Sequence, residues 1–477
     1  MNKNKEIYVY AGWSNDTLIG TLYCGISNGA EIASFEYDRE WLVKHQSLIL
    51  DPTIPQVPYR TYSPDKQLFG AFEDSCPDRW GRKLIDRREA LRAVDENRAP
   101  KKFFESDYLL GIQDNYRIGG FRFKSDPDGG FLSDDALPIP PITAIRELEQ
   151  ISLGYEKDTD HRWVQQLVAP GSSLGGARPK ANVADTDGSL WIAKFPSKND
   201  TYDIGAWEKT ANDLALKCGI KIPDCKLMKL SDNGSTFLTK RFDRIYHDGS
   251  EKRLHYASAM TMLGARDGKT DGLGYLDLAE TVEQITGNAD KNLHELYRHM
   301  LFDIAIANQD DHLRNHGFLL SGDLWELSPA FDLNPIADAQ FLSMNIDTDN
   351  GYRSFEKALE TCEFYHIDKD DAVSQIQRIS ETIFCSWKDI ATKNGIKESE
   401  QKYMSGAFSL VEETCKKYNK TIIAVNNTQY MTFDDLEDFI EQGESVSEQD
   451  KDNSLSTSYN ELNDVNHNKK DDGYGEL

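Results

Sequence analysis

Cysteine is scarce and scattered in this chain, with seven among 477 residues, at positions 24, 76, 218, 225, 362, 385 and 415. None forms a CxxC pair, so neither a zinc site nor a disulfide framework is indicated, and a reducing cytoplasm is the expected setting. Long apolar runs are missing as well. None approaches the roughly 20 residues that cross a bilayer, and the opening MNKNKEIYVY enters a strand-like alternation with no apolar signal core. Positive charge is in deficit, with 54 Lys and Arg against 80 Asp and Glu, a net charge of −26. A chain that reads nucleic acid by itself normally carries a basic face that displaces counterions, so direct DNA binding is not expected. Part of the acidity is local: residues 441–477 hold ten acidic residues against three lysines, with few large apolar side chains, and read as a disordered, solvating tail. No internal repeat is visible.

What is present suits an ordinary globular protein of two or three domains, 39% hydrophobic and 10% aromatic. Residues 6–37 read as short strands, and the prolines at 52, 55, 58, 64 and 77 make the next stretch loop-rich. A helix is expected from Asp78, and the glycine-containing stretch 118–138 reads as the end of a first domain, 1–140. A second domain, 141–245, begins with a helix over 143–154. Its strands 181–184 and 190–195 flank Asp185-Thr186-Asp187-Gly188, a hairpin turn with glycine where positive φ is easiest. A helix over 205–219 and a strand over 236–239 follow. The third domain, 246–430, reads as mainly helical with one further hairpin.

The strongest chemical signal lies between 293 and 332. Leu293, Leu296, Tyr297, Met300, Leu301 and Ile304 mark one face of a buried helix. It runs into Asn308-Gln309-Asp310-Asp311-His312-Leu313-Arg314-Asn315, then a short hairpin around Ser321-Gly322-Asp323, then Pro329-Ala330-Phe331-Asp332-Leu333-Asn334-Pro335. A hairpin brings its ends together, so Asp332 should return near Asn315. Phosphoryl transfer needs that grouping: one carboxylate orients the acceptor hydroxyl, while an amide oxygen and a second carboxylate hold magnesium against nucleotide phosphates. Any one of these aspartates alone would read as a helix cap or loop decoration; their combination points to catalysis.

A second signal is Gly171-Ser172-Ser173-Leu174-Gly175-Gly176-Ala177-Arg178-Pro179-Lys180. Its small residues would let backbone N–H groups converge on phosphate, with Lys180 adding positive charge. It is not a Walker sequence, and alone it would be an ordinary turn. About 14 residues on, the strand Leu190–Phe195 places Lys194 at a strand end, with Ile192 on the same face to cover an adenine ring. Glu208, at the start of the next helix, is the candidate partner that positions Lys194, although glutamates at helix starts are common for dipole reasons.

These segments resemble the HipA family of bacterial serine/threonine kinases, the toxin half of HipA–HipB-type modules, over roughly residues 6 to 420. The likeness rests on FGAFEDSCPDRWG at 69–81, LLGIQD at 109–114, SSLGGARPK at 172–180, Trp191 to Phe195, and Arg241-Phe242-Asp243-Arg244. Its most specific part is NQDDHLRN at 308–315 followed by SPAFDLNP at 328–335. The resemblance implies an α+β, two-lobed protein-kinase-like fold with an amino-terminal mixed α/β subdomain and a mainly helical carboxy-terminal lobe. It implies ATP and Mg2+ as cofactors, with Asp310 as catalytic base. Ser173, Gly175, Gly176, Ala177, Lys180, Lys194, Lys240, Arg241, Phe242, His312, Asn315 and Asp332 would line the nucleotide, and Asn315 and Asp332 would hold the metal. Ser173 matches the serine that such kinases phosphorylate on themselves, with Ser172 an open alternative; the added charge would expel the loop and inactivate the enzyme. The implied partners are a HipB-like helix-turn-helix antitoxin, through which alone DNA would be reached, and a protein substrate such as an aminoacyl-tRNA synthetase, in the cytoplasm and away from membranes. The acidic tail departs from the family pattern. Competing readings are a nucleotide-binding pseudokinase or corepressor without transfer, and a kinase of a small molecule or lipid.

Overall fold

Strand alternation builds the first sheet. Ile7, Val9 and Ala11 in β1 (Lys5–Ala11) all point inward and are buried. β1 pairs with β2 (Thr17–Ser27), which pairs with β3 (Ala30–Tyr37) and through it with the short β4 (Thr61–Tyr62). The far edge of this antiparallel sheet is β5 (Phe121–Lys124), laid against Tyr8 to Ala11 of β1. The stretch read as a domain end therefore closes the first sheet. The computed structural model describes residues 4–64, 67–132, 139–155, 178–247 and 250–417. Residues up to Cys415 form one compact unit, to which everything below refers.

Helix α1 (Arg79–Asp95) starts where expected because Asp78 caps it, its carboxylate accepting from Gly81 N at 2.8 Å. Its Trp80 and Leu84 do not pack on the first sheet alone. They share a core with Ile145 and Leu148 of α2 (Ile145–Tyr155) and with Ala181, Val183, Trp191, Ala193, Phe195 and Leu238. Those last residues belong to a second antiparallel sheet, ordered β6 (Lys180–Ala184), β7 (Leu190–Lys194), β9 (Gly234–Lys240), β8 (Cys225–Ser231). The β6–β7 turn is the expected one, with Gly188 at φ 83°. Alternation along β7 sends Trp191 and Ala193 into the shared core and leaves Ile192 and Lys194 on the opposite face.

Helix α3 (Ile204–Lys217) covers that sheet. Gly205 in its first turn lies so close to the Ser235 carbonyl oxygen that a Cβ there would collide with it, which sets how near Glu208 comes to the strands. Polar β10 (Arg244–His247) and β11 (Ser250–Arg253) form a ribbon, and β12 (Tyr256–Ser258) joins the expected hairpin of β13 (Gly317–Ser321) and β14 (Leu324–Leu327). Beyond lie α4 (Tyr275–Ile285), α5 (Ala289–Ile306) and α6 (Lys369–Lys393). The six apolar residues expected on one face of α5 are all fully buried, and from Met300 onward so is nearly every side chain. The architecture is α+β, with the helical lobe following the second sheet.

Candidate active site

Lys194 ends β7 on the face away from the shared core, and two carboxylates meet it there. Its Nζ lies 2.5 Å from Glu208 Oε1 on α3 and 2.5 Å from Asp332 Oδ1. Burial alone would disfavour the ammonium, but Asp332 and Glu208 outweigh it and hold the lysine firmly charged. Asp332 feels the same attraction: burial would raise its carboxyl, and Lys194, with help from Lys180 and His312, brings it down to about 2. Glu208 goes the other way, since its burial and the nearby Asp332 leave it above the ordinary carboxylate range despite the lysine. Asp332 has φ 63°, a left-handed backbone that non-glycine residues adopt rarely. The neighbouring segment is pinned, with Asn334 Nδ2 donating to Asp332 Oδ1 at 3.3 Å and Asn334 N to Asn308 Oδ1 at 3.3 Å.

Asp310 stands in the loop that follows α5. α5 ends at Ala307 in the left-handed conformation (φ 57°), which turns the chain sharply into the loop 308–316. Within that loop Asn315 Nδ2 donates to the Asp310 carbonyl at 2.9 Å, and Asn315 N to the His312 carbonyl at 2.7 Å. Asp310 sits at the exposed rim. Partial desolvation raises its carboxyl, Asp332 and Asp311 push it further, and His312 and Arg79 oppose them. Asp310 thus lies within electrostatic range of Asp332, with Asn315 and His312 in the same loop.

Above Lys194 an apolar slot is lined by Ile192, Phe237, Phe242 and Phe331, with Asn212, Thr239, Lys240 and Arg241 around it. Phe242 and Phe331 pack with ring centroids 5.5 Å apart. Two residues expected on the nucleotide have carboxylate partners of their own. Lys180 is 1% exposed, with Nζ 2.6 Å from Asp78 Oδ2, so the field of the helix cap in the amino-terminal region holds it. Arg241, which lines the slot, turns its guanidinium onto Asp243 (2.7 Å) and the Arg117 carbonyl (2.7 Å). Like Lys194, both are buried cations held by a carboxylate that water cannot screen. Lys240 lies 3.5 Å from Asp224. Ser172, Ser173, Gly175, Gly176 and Ala177 lie outside the described residues.

Sequence reasoning missed Phe237 and Phe331. The first faces Lys194 in the β7–β9 register; the second directly precedes Asp332, a position that could have flagged it. It also missed a buried polar cluster behind the loop. Tyr275 Oη contacts Asp311 Oδ2 at 2.5 Å and Asp303 Oδ2 at 3.0 Å, His316 Nε2 meets Asp311 Oδ1 at 2.7 Å, and Asn308 Nδ2 donates to Asp303 Oδ1 at 2.9 Å. Burial pushes both carboxyls up; His316 and Tyr275 return Asp311 below its ordinary value, while Asp303 stays well raised beside it.

The donor set suits a hard, oxygen-seeking cation. Asp332 offers carboxylate oxygens, Asn315 an amide oxygen while its Nδ2 donates to the Asp310 carbonyl, and the buried Asn334 Oδ1 has no hydrogen-bond partner. His312 Nδ1 is likewise buried and without a hydrogen bond. Magnesium and nucleotide phosphate fit these groups.

A slot, a buried lysine with two carboxylates and an aspartate-bearing loop, set between a small antiparallel sheet and a helical lobe, define a two-lobed kinase-like protein. The chain belongs to the HipA family: residues 172–387 match the HipA-like C-terminal domain and residues 11–99 the HipA N-terminal domain. In structure it resembles HipA of Shewanella oneidensis MR-1, solved with HipB and operator DNA, at a TM-score of 0.59 and 18% identity, over 89% of this chain and all of that one. The Helicobacter pylori proinflammatory kinase CtkA aligns at a TM-score of 0.32 and 14% identity, over 49% of this chain and 94% of that one, too slight a likeness to bear on the fold. No curated protein matches in sequence. Among the described residues no helix is long and apolar enough to cross a membrane.

Proposed function

We propose that this protein is an ATP- and Mg2+-dependent serine/threonine protein kinase of the HipA toxin type. The observation that carries the reading is the junction of Lys194, Glu208 and Asp332 at the foot of an apolar slot, with the exposed Asp310 within range of the charge on Asp332. Ile192, Phe237, Phe242 and Phe331 would sandwich adenine. Lys194, oriented by Glu208, would neutralise the α- and β-phosphates. Asp332 and Asn315 would hold Mg2+, which when bound offsets the charge of the phosphates. Asp310 would accept the acceptor hydroxyl's proton as its oxygen bonds to the γ-phosphorus and the bond to the departing ADP breaks. A carboxyl raised above its ordinary value is a better base for that step. Lys180 and Arg241 support the site in this reading by bracing it rather than by touching phosphate.

The control elements are proposed from the family resemblance. Phosphorylation of Ser173 or Ser172 would place about two negative charges beside the nucleotide phosphates and silence the enzyme. A HipB-like helix-turn-helix antitoxin would bind the chain and supply the DNA contacts that a protein of charge −26 lacks. A translation factor such as an aminoacyl-tRNA synthetase is the substrate class in this reading, and the cytoplasm the compartment. The test is incubation of the full chain with γ-labelled ATP and Mg2+, beside Asp310→Ala and Asp332→Ala. Label on serine in the wild type alone supports the proposal. Nucleotide binding with no transfer to this chain or to added protein overturns it in favour of a nucleotide-binding corepressor.

A further inference from the structure

Tyr275, the first residue of α4, reaches two parts of the catalytic face at once. Its hydroxyl lies between Asp303, near the end of α5, and Asp311, the residue after Asp310. Its backbone N–H donates to the Asn345 carbonyl at 2.9 Å, and Gly274 before it bridges the same residue. Two positions back along the chain from Asn345, Ser343 gives both its N–H (3.0 Å) and its hydroxyl (2.6 Å) to the carbonyl of Gln309, the residue before Asp310. Asp310 is therefore flanked by two residues that both lead to Tyr275, one through a buried carboxylate and one through the strand-like segment downstream of Asp332.

The hydrogen count sharpens this. A phenol carries one proton and here touches two carboxylates, so it cannot donate to both. The arrangement closes if Asp303 keeps its own proton and gives it to the Tyr275 oxygen, while the Tyr275 proton goes to Asp311, whose other oxygen meets His316. Every one of these groups is buried: Tyr275 and Asp303 are 0% exposed, Asp311 1% and His316 2%. An ordered chain of this kind, shielded from water, holds its members to one geometry more tightly than the same bonds at a surface.

We infer that Tyr275 is a positioning residue for the transfer reaction, its hydroxyl fixing Asp311 and thereby the placement of Asp310 and Asn315. Nothing in its position lets it touch nucleotide; it acts through the loop. The inference deepens the kinase reading and rests on it, so its test needs one arm that does not depend on turnover. Tyr275→Phe removes the hydroxyl and leaves the ring and the backbone bond to Asn345. In the labelled-ATP assay this variant is expected to lose about 100-fold in kcat, the scale of a misplaced catalytic group, with KM for ATP within about twofold of wild type.

In the second arm, binding of ADP to the full chain is measured with and without Mg2+. Because Asn315 Nδ2 is bonded to the Asp310 carbonyl, a loosened loop would displace the amide that would hold the metal. The variant is expected to bind ADP alone as the wild type does and to lose most of the gain that Mg2+ brings. Unchanged kcat in a folded variant overturns the inference, as does a loss of activity matching the fraction unfolded in a melting curve. If the wild type transfers no phosphate, the kinase reading fails, and the Mg2+ arm still decides: an equal Mg2+ gain in both proteins overturns the role of Tyr275, and a reduced one supports it.

Discussion

Lys194 Nζ and Asp332 Oδ1 lie 2.5 Å apart although 138 positions separate them, and each sets the other's charge. The lysine comes from the small sheet and the aspartate from the helical lobe, so the pair ties the two lobes together at the point where phosphate would sit. Substituting Lys194→Met should abolish this tie. Transfer should fall by about 10²–10³-fold, as when one oriented donor is removed from a developing charge. Glu208→Gln should fall less, because Asp332 still orients the ammonium; steady-state rates at saturating ATP check both.

The same pair predicts a pH dependence. Asp332 is held at about 2 in the folded protein against an ordinary 3.8. A lowered carboxyl contributes stability that is complete above its unfolded value and is lost as pH falls from about 4 through 2. In Lys194→Met that acid-side loss should shrink, since the carboxylate no longer gains from folding. Denaturant unfolding across that range, wild type beside variant, measures it.

Asp310 supplies a second, separable pH effect. Its carboxyl is raised above the ordinary value by partial burial and by Asp332 and Asp311. A base must be deprotonated, so kcat should climb with pH through that raised value and level off above it. Asp310→Asn should bind Mg2+ and ATP with near wild-type affinity yet transfer almost nothing at any pH. A variant that keeps its rate would remove Asp310 from the role of base.

Lys180 and Asp78 make a stability prediction. Their ion pair is 2.6 Å long with side chains 1% and 4% exposed, and Trp80 Nε1 also bonds the Lys180 carbonyl at 3.0 Å. Asp78→Ala should destabilise the fold, since it removes both the buried ion pair and the cap on α1, the cap alone being worth about 1 kcal/mol. Burial raises the Asp78 carboxyl to about 6, even beside Lys180. The folded state therefore holds this proton more tightly than the unfolded one, and the group's contribution declines as pH rises from about 4 to 6. Thermal melts of wild type and variant over that interval test the sign.

Much of this could be read from the chain because it is written locally. An aspartate before Trp80 caps a helix, Asp185 to Gly188 make a turn, and Lys194 ends an alternating strand. Elements whose reason lies far away could not be read. β5 is four residues, FRFK, and exists because β1 offers it an edge more than a hundred positions earlier. β8 buries neither face well, so it carries no clear period. The site divides in the same way. Residue type marks Asp310, Asp332 and Lys194 for their chemistry, whereas the partner of Lys180 is a tertiary choice made by Asp78, 102 positions away. Tyr275 looks like any core tyrosine until its two carboxylates are seen.

The most direct test of the central claim is a crystal structure of the full chain with Mg2+ and a non-hydrolysable ATP analogue. The account predicts adenine between Phe237, Phe242 and Phe331, Lys194 on the α- and β-phosphates, metal on Asp332 and Asn315, and the γ-phosphate facing Asp310. Nucleotide bound elsewhere, or in the slot with its phosphates turned away from Lys194 and Asp332, would contradict it.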